Sequence, residues 1–303
     1  MMKRITLAVV LCLVVAAAAR AGEQARPMVF LTSLDVVQSM AEALTRDTSI
    51  EIVNVIPAGY SMQGQGAYLK KYQKRFFGDA ARADGVLSVG AAWPGDPLYQ
   101  WARRGNIRIV NIDVTKPLDG YGAGVPLQEN DDTSSPFVWR SPANLTRMAV
   151  IAADDMCRMA PTEAETIKHN LKVLQSELFK LRSRYEGAFV DLDFVDLAAL
   201  TADYGYLVDE FGLDTHFVFS KPEREWAQQD VHTFSARLRR NGVKGVICPW
   251  DPDETARTAI IDGGATPVVL KRFVRREGTE PVTALVEWYD ENLIRLFQAL
   301  QTH

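Results

Sequence analysis

The sequence contains few of the residues that build zinc fingers or redox sites. It has 3 cysteines and 4 histidines in 303 residues. No CxxC motif and no His/Cys cluster is present, which excludes a zinc finger and a thioredoxin-like site. Cys12 lies in the N-terminal apolar run, so Cys157 and Cys248 remain to be explained. Two cysteines so far apart are equally consistent with a disulfide and with two buried free thiols.

Catalytic motifs are also missing. The chain contains no G-x-S-x-G, HExxH, P-loop or dinucleotide fingerprint. Gly120, Gly122 and Gly124 lie in a connecting loop, without the strand and helix that frame a phosphate cradle. Because an enzyme needs an activated nucleophile, an acid–base pair or a metal, we predict that this protein is not an enzyme.

The first residues have the pattern of an export signal. Lys3 and Arg4 form a short basic region, residues 5–18 are apolar, and Ala19-Arg20-Ala21 has the small residues that a signal peptidase reads. The apolar run is short of the roughly 20 residues that span a bilayer. We therefore predict that residues 1–21 are a signal peptide, cleaved after about Ala21, and that the mature protein is periplasmic. A retained or lipidated anchor is the alternative.

Clustered basic residues and a second long apolar run are both absent. Lys3, Arg4 and Arg20 lie in the predicted signal, so 31 of the 34 basic side chains remain against 38 acidic ones, a net charge of −7. An acidic chain without a basic cluster does not indicate a nucleic-acid partner, because neutralising phosphates requires grouped Lys and Arg.

What the chain does contain is an alternation of strand-like and helix-like segments. In the first half, short apolar runs that indicate buried strands alternate with helical spacing at 35–45 and 97–104; these runs are 27–32, 50–56, 85–90 and 107–114. In the second half, strand-like runs again alternate with helical stretches; they are 187–190, 214–219, 243–248 and 266–270. Such alternation predicts parallel sheets covered by helices.

The middle of the chain is helical. Ser141-Pro142 predicts a helix start, with Ser as the N-cap and Pro in the first turn. After Pro161, an apolar stripe with steps of three and four predicts a helix to about Tyr185; it consists of Ile167, Leu171, Leu174, Leu178 and Leu181. We therefore predict an α/β fold with two β/α lobes joined by a long rigid backbone helix. The expected domains are a lobe at 22–160, the helix at 161–186 and a lobe at 187–303.

Five segments of the chain resemble, in order and spacing, the zinc and manganese receptors of ABC importers. Residues 54–63 (NVIPAGYSMQ) are similar to their V-P-x-G-x-D-P-H loop, and residues 135–142 (SPFVWRSP) to D-P-H-x-W-x-x-P. Residues 201–213 (TADYGYLVDEFGL) resemble H-D-A-F-G-Y-x-x-x-x-Y-G-L. The remaining two segments, 224–247 and 289–300, match a helix followed by G-V-K-x-I-F and the family's last helix.

This resemblance implies a solute-binding protein with a ligand cleft between two lobes, presented to a membrane permease. It also implies zinc or manganese as cargo, held by a His from each of the first three motifs and often by a late carboxylate. At those positions this chain has Gln63, Phe137, Thr201 and Lys271. Gln and Thr are weak neutral ligands, Phe cannot ligate, and Lys carries a positive charge, so the usual metal site is not supported.

The residues around those positions define a candidate ligand cleft. They are aromatic, cationic or hydrogen-bonding, and consist of Tyr60, Met62, Gln63, Phe137, Trp139, Arg140, Thr201, Asp203, Tyr204 and Lys271. Such a set suits an organic anion or a chelated metal. Two other interpretations remain open: a weak or relocated metal site, and a cleft filled by its own aromatic side chains. An accessory binding protein for a periplasmic redox system is a further alternative to import.

Two acidic groups offer a relocated metal site. Glu129, Asp131 and Asp132 precede the second motif, and Asp251 and Asp253 flank a turn after Cys248. A solvated loop and helix capping by Asp253 are the simpler interpretations of these two groups. For the four histidines, His169, His216, His232 and His303, we expect surface or packing roles.

Overall fold

The computed structural model describes residues 26–120, 122–128, 135–193 and 195–301. The predicted signal peptide, the acidic group of Glu129, Asp131 and Asp132, and His303 lie outside these residues. Within them, no helix combines the length and the apolar character that a bilayer crossing requires.

The first lobe is built on a four-stranded parallel sheet. Its strands are β1 (Val29–Thr32), β2 (Glu51–Asn54), β3 (Gly85–Ser88) and β4 (Val110–Asp113), in the order β2-β1-β3-β4. Four helices connect them: α1 (Asp35–Leu44), α2 (Gln65–Lys71), α3 (Gln73–Arg82) and α4 (Leu98–Gly105). The alternation predicted for the first half of the chain is thus confirmed.

The second lobe repeats this arrangement. Its strands are β5 (Asp196–Ala199), β6 (Asp214–Val218), β7 (Gly245–Cys248) and β8 (Thr266–Val269), in the order β6-β5-β7-β8. The helices between them are α7 (Gly205–Glu210), α8 (Gln228–Arg240) and α9 (Glu254–Asp262). In both lobes the second strand in sequence is at one edge and the first lies inside the sheet.

Three long helices connect the lobes: α5 (Pro142–Met159), α6 (Ala164–Val190) and α10 (Pro281–Gln301). Helix α5 begins as predicted, because the Ser141 hydroxyl accepts a hydrogen bond from the Asn144 N–H at 3.0 Å and Pro142 occupies the first turn. Helix α6 spans 27 residues, about 40 Å at 1.5 Å per residue.

One predicted strand is wrong. Residues 187–190 form the last turn of α6, and the first strand of the second lobe is β5, six residues further on. The helical stripe continues through the buried residues Tyr185 and Phe189, which contact each other and pack in the core. This i, i+4 pair extends the helix over a segment whose composition is typical of a strand.

Alternation along the strands divides the apolar residues into three cores. Residues on one face of both sheets, such as Phe30 and Leu197, pack in one continuous core with α1, α5, α6 and α10, which we call the shared core. Leu31, on the opposite face of β1, packs under α2, α3 and α4 in an outer first-lobe core. Ala198, on the opposite face of β5, packs with α8 and α9 in an outer second-lobe core. Successive strand residues point to opposite faces, which produces this division.

In both sheets, a glycine allows the two central strands to pack closely. The third strand of each sheet begins with a glycine, Gly85 in β3 and Gly245 in β7. A Cβ at Gly85 would lie 2.8 Å from the Phe30 ring, and one at Gly245 would lie 2.8 Å from Leu197. Each glycine therefore leaves room for the large side chain that the neighbouring strand adds to the shared core.

Candidate functional site

The segments that follow several strands of both sheets meet in a cleft between the lobes. The cleft has a volume of about 1010 Å³ and includes Tyr60 and Met62, after β2, and Asp203 and Tyr204, after β5. In parallel sheets, ligands bind outside the carboxyl ends of the strands where the strand order reverses. The site therefore lies where this topology places ligands.

Eight of the ten predicted residues line this cleft: Tyr60, Met62, Gln63, Phe137, Arg140, Asp203, Tyr204 and Lys271. Trp139 lies behind them, in a smaller chamber. Thr201 does not reach the cleft, because it lines a separate pocket next to Gln128 and its hydroxyl accepts a hydrogen bond from the Asp203 N–H at 3.2 Å. The ligand role of all ten residues stays a prediction.

The smaller chamber, which we call the inner chamber, has a volume of about 100 Å³. Tyr60, Met62, Phe137 and Arg140 line both the inner chamber and the cleft. The Asp35 carboxylate also lines the chamber, and its two oxygens accept hydrogen bonds from the Asn54 amide at 2.9 Å and the Gly59 N–H at 2.8 Å. These two hydrogen bonds therefore fix the position of the Asp35 carboxylate in the chamber.

Arg140 lies at the boundary between the cleft and the inner chamber. Its guanidinium carbon is 3.6 Å from the centroid of the Tyr204 ring and 4.5 Å from that of Phe137. Its Nη2 is 3.5 Å from an Asp203 oxygen, while its Nη1 is buried and has no hydrogen-bond partner among the described residues. Burial lowers the pKa of Arg140 from its usual value, and the nearby Tyr204 and Asp203 act in the opposite direction.

Helix α10 holds the second-lobe side of the cleft in place. The Lys271 carbonyl accepts hydrogen bonds from the Trp288 indole at 2.7 Å and from the Asn292 amide at 3.0 Å. The Tyr289 hydroxyl donates to the Trp139 carbonyl. One helix therefore positions residues from the second motif and from the end of β8 together.

The Tyr204 hydroxyl is bound within the second lobe. It donates to the Leu270 carbonyl at 2.6 Å, and burial raises its pKa. With the hydroxyl committed in this way, Tyr204 offers its ring face to Arg140 and to the cleft.

Cations are concentrated on the second-lobe side of the cleft. Glu291 lies 3.8 Å from the Lys271 Nζ and 3.1 Å from Arg276, so one carboxylate serves two cations. Arg272 donates to the Gly59 carbonyl at 2.7 Å and makes no ion pair with any described carboxylate. Gly59 has a φ of +71° and its Cβ position is 3.0 Å from Arg272, so a side chain there would conflict with both the turn and the arginine.

These residues do not fit a zinc or manganese ion at the usual positions. Phe137 offers no donor, Thr201 lies in another pocket, and the Lys271 ammonium repels a cation. Gln63 alone keeps a neutral oxygen in the cleft. Zinc sites in proteins need three or four nitrogen, sulfur or charged oxygen ligands, which this set does not provide.

One group of metal-capable side chains occurs among the described residues, and it lies elsewhere. Asp196, Asp214 and His216 have ligand atoms within 4.8 Å of one another. Asp196 and Asp214 are the first residues of β5 and β6, at the opposite end of the sheet from the cleft. The His216 Nε2 is already 2.6 Å from an Asp196 oxygen, which makes a hydrogen bond at the protein surface the simpler explanation.

The remaining predictions about acids, histidines and thiols can be placed. The Asp253 carboxylate accepts from the Ala256 N–H at 2.8 Å and caps α9, as expected. His169 and His232 are exposed on helices. Cys157 and Cys248 are both free, so the structure contains two separate thiols rather than a disulfide.

Sequence reasoning missed part of the cleft. Pro249 and Trp250 follow β7 directly and line it, as do Arg276 and Glu287. The position of Pro249 and Trp250 in the sequence could have predicted this, because a side chain just after a parallel strand lies at the same sheet edge as the predicted residues. Trp288, in α10, lines both the cleft and the inner chamber.

Two parallel α/β lobes, a continuous helical connection and a cleft at the strand ends define a two-lobed solute-binding protein. A family model described as zinc-uptake complex component A, periplasmic, matches residues 30–299. The chain belongs to this family, as the five sequence motifs predicted. No match was found among curated proteins.

Several solved structures have the same fold. A mutant of FpvC from Pseudomonas aeruginosa superimposes with a TM-score of 0.73 at 19% identity, covering 91% of this chain and 100% of that chain. A manganese-bound mutant of the periplasmic metal binding protein from Candidatus Liberibacter asiaticus gives 0.68 at 16% identity, with 90% and 99% covered. A ZnuA crystal structure gives 0.62 at 15%, with 91% and 97% covered. At these identities the likeness concerns the fold alone.

Proposed function

We propose that this protein is the extracytoplasmic receptor of an ABC importer, and that it binds its solute in the cleft between the lobes. We further propose that the solute is not a bare zinc or manganese ion. The family and the fold support a receptor, and the export signal predicted at residues 1–21 supports a periplasmic location. A membrane permease is the expected partner, because such receptors act by presenting their solute to one.

The observation that carries this proposal is the chemistry of the cleft. Four cationic side chains line it, Arg140, Lys271, Arg272 and Arg276, and none of the histidines that the structure describes does so. Three carboxylates also line the cleft, but Asp203 pairs with Arg140, and Glu291 pairs with Lys271 and Arg276. A divalent cation would therefore lose its hydration while competing with these cations for charged ligands, which is unfavourable. The cleft volume of about 1010 Å³ is also in the range of pockets that bind small organic molecules.

Native mass spectrometry of the mature protein, purified from its own periplasm, tests the proposal. We expect a mass increment of an organic solute or of a metal chelate, at one per chain. Metal analysis of the same sample separates the possibilities. A bare first-row metal at one per chain, released by chelators without an organic component, would contradict the proposal.

Thermal unfolding provides a second measurement. Because a ligand that binds only the folded state raises Tm, we expect neither zinc nor manganese at micromolar concentration to raise it. Stabilisation by either ion that disappears in Gln63→Ala but persists in His216→Ala would identify a metal site in the cleft. Stabilisation with the reverse pattern would assign the metal to the Asp196, Asp214 and His216 group.

A further inference from the structure

The buried Arg140 is the strongest unexplained feature of the site. It is 6% exposed, and its guanidinium lies between the rings of Tyr204 and Phe137. Its Nη1 has no hydrogen-bond partner within the described part of the chain, and its one ion-pair contact, with Asp203, is 3.5 Å long. Leaving a buried polar group without a partner costs about 1–3 kcal/mol, and more for a charged group. A native fold rarely keeps such a donor without a use for it.

We propose that Arg140 binds an anionic group of the solute, and that the solute is an organic anion with a flat, unsaturated body. This inference rests on the proposed function, because it names the class of solute for the same cleft. A guanidinium presents two parallel N–H donors that match a carboxylate, and the rings on either side of Arg140 hold this donor plane in one orientation.

The surrounding charges favour an anion at this boundary. Arg272 also lines the inner chamber, and its one hydrogen bond among the described residues is to a neutral carbonyl, that of Gly59, so it adds a second cation. The nearby acids are largely occupied: Asp35 accepts from Asn54 and Gly59, and Glu291 is shared by Lys271 and Arg276.

Two further carboxylates line the outer cleft, Asp203 and Glu287. Asp203 already forms an ion pair with Arg140, at 3.5 Å. The four cationic side chains of the cleft outnumber its three carboxylates, Asp203, Glu287 and Glu291, so the cleft favours an anion, one group of which lies at the chamber boundary.

The aromatic side chains provide the surface for the body of the solute. Tyr60 and Trp250 are 44% and 55% exposed although both are large, and both line the cleft from opposite lobes. Flat aromatic faces bind unsaturated groups by stacking. The inner chamber, at about 100 Å³, is small enough for a single anionic group, whereas the outer cleft at about 1010 Å³ holds the body.

The test uses the mature protein with phthalate, a flat aromatic dicarboxylate, and its neutral diamide phthalamide as the matched probe. We expect phthalate to raise Tm in a concentration-dependent manner and phthalamide to leave it unchanged. In calorimetric titration, Arg140→Gln should weaken phthalate binding by about 30-fold or more, because it removes a buried charged partner. Arg224→Gln, at an exposed arginine that lines neither the cleft nor the inner chamber, should leave binding unchanged.

Two further variants separate binding from folding. Arg140→Lys keeps the charge but not the paired donors, and should recover only part of the affinity. Arg272→Gln changes an exposed side chain without disturbing the core, and should weaken binding by about two- to five-fold. If Arg140→Gln does not fold, these two variants decide the question. Full affinity in both would overturn the proposal.

The outcomes also separate this inference from the proposed function. No stabilisation by phthalate, equal stabilisation by phthalamide, or undiminished binding to Arg140→Gln would each overturn the assignment of an anionic solute. A neutral organic solute in the natively purified protein would do the same and leave the receptor function intact. A bare metal in that sample would instead contradict the proposed function.

Discussion

The apolar residues of this protein pack in two different ways on the two faces of its sheets. The inner faces of both sheets, with α1, α5, α6 and α10, form one shared core that crosses from lobe to lobe. The outer faces are covered separately, by α2, α3 and α4 in the first lobe and by α8 and α9 in the second. Each lobe therefore has its own sheet, but the two lobes share one core.

This difference indicates how the cleft can and cannot change. Rotating one lobe against the other would separate apolar surfaces of the shared core, at about 25 cal/mol for each Å² exposed. The outer second-lobe core reaches the cleft through Val269, whereas α8 and α9 contribute none of the described lining residues. We infer that ligand binding changes the loops of the cleft more than the angle between the lobes.

The largest effect is expected from a cavity in the shared core. Leu174 in α6 is fully buried, whereas its neighbour Val173 is 42% exposed. Leu174→Ala should lower the free energy of unfolding by about 2–5 kcal/mol, and Val173→Ala by less than about 0.5 kcal/mol. Hydrogen exchange should increase in both β3 and β7 of the Leu174 variant. An increase confined to one lobe would show that the two lobes do not depend on one shared core.

A smaller and local effect is expected in the outer second-lobe core. Ile260 in α9 is fully buried there, and Ile261 is 59% exposed. Ile260→Val should cost about 0.5–1.5 kcal/mol, with Ile261→Val as the matched control near zero. Hydrogen exchange should change in α8 and α9 while α2 and α3 stay protected. Faster exchange in the first lobe would show that the outer cores are coupled after all.

The smallest effect concerns the two thiols, whose rates of alkylation measure how well each region excludes solvent. Burial raises the pKa of Cys248, in the outer second-lobe core, to about 12, and it also raises the pKa of the half-buried Cys157. At pH 8 the thiolate fraction of Cys248 is then on the order of one in ten thousand. We expect iodoacetamide to modify Cys157 first and Cys248 only after unfolding, as measured by mass spectrometry. Equal rates in the folded protein would contradict the packing of this core.

The pKa of Cys248 has a consequence for stability as well. It is raised in the folded state above its value in the unfolded chain, so the folded protein holds this proton more tightly. The contribution is fully present below about pH 9 and is lost as the pH rises toward 12.

Much of this fold could be predicted from patterns along the chain. Buried strands such as β1 and β7 appear as short apolar runs between turn residues, and α6 appears as a stripe of leucines. The exception is instructive. Residues 187–190 have a strand-like composition, but the packing of Phe189 on Tyr185 and Phe211 decides their conformation, and such contacts are not visible in local sequence.

The site was predictable to the extent that it follows from the motifs. Gln63, Phe137, Asp203 and Lys271 line one cleft because the motifs fix the strand ends that carry them. Thr201 could not be placed correctly, since its hydroxyl turns back to the Asp203 N–H. The missing partner of Arg140 was equally invisible, because it depends on the burial of a single nitrogen atom.

The hydrogen bond between Arg272 and the Gly59 carbonyl joins a movable side chain to a fixed backbone atom. Exposed side chains such as Arg272 rotate within picoseconds to nanoseconds, whereas domain rotations take microseconds to milliseconds. Because the two lobes share one core, we expect a bound group to pass between the inner chamber and the cleft on the timescale of side-chain rotation. The residence time of a bound group is then set by the strength of its own contacts rather than by the motion of the domains.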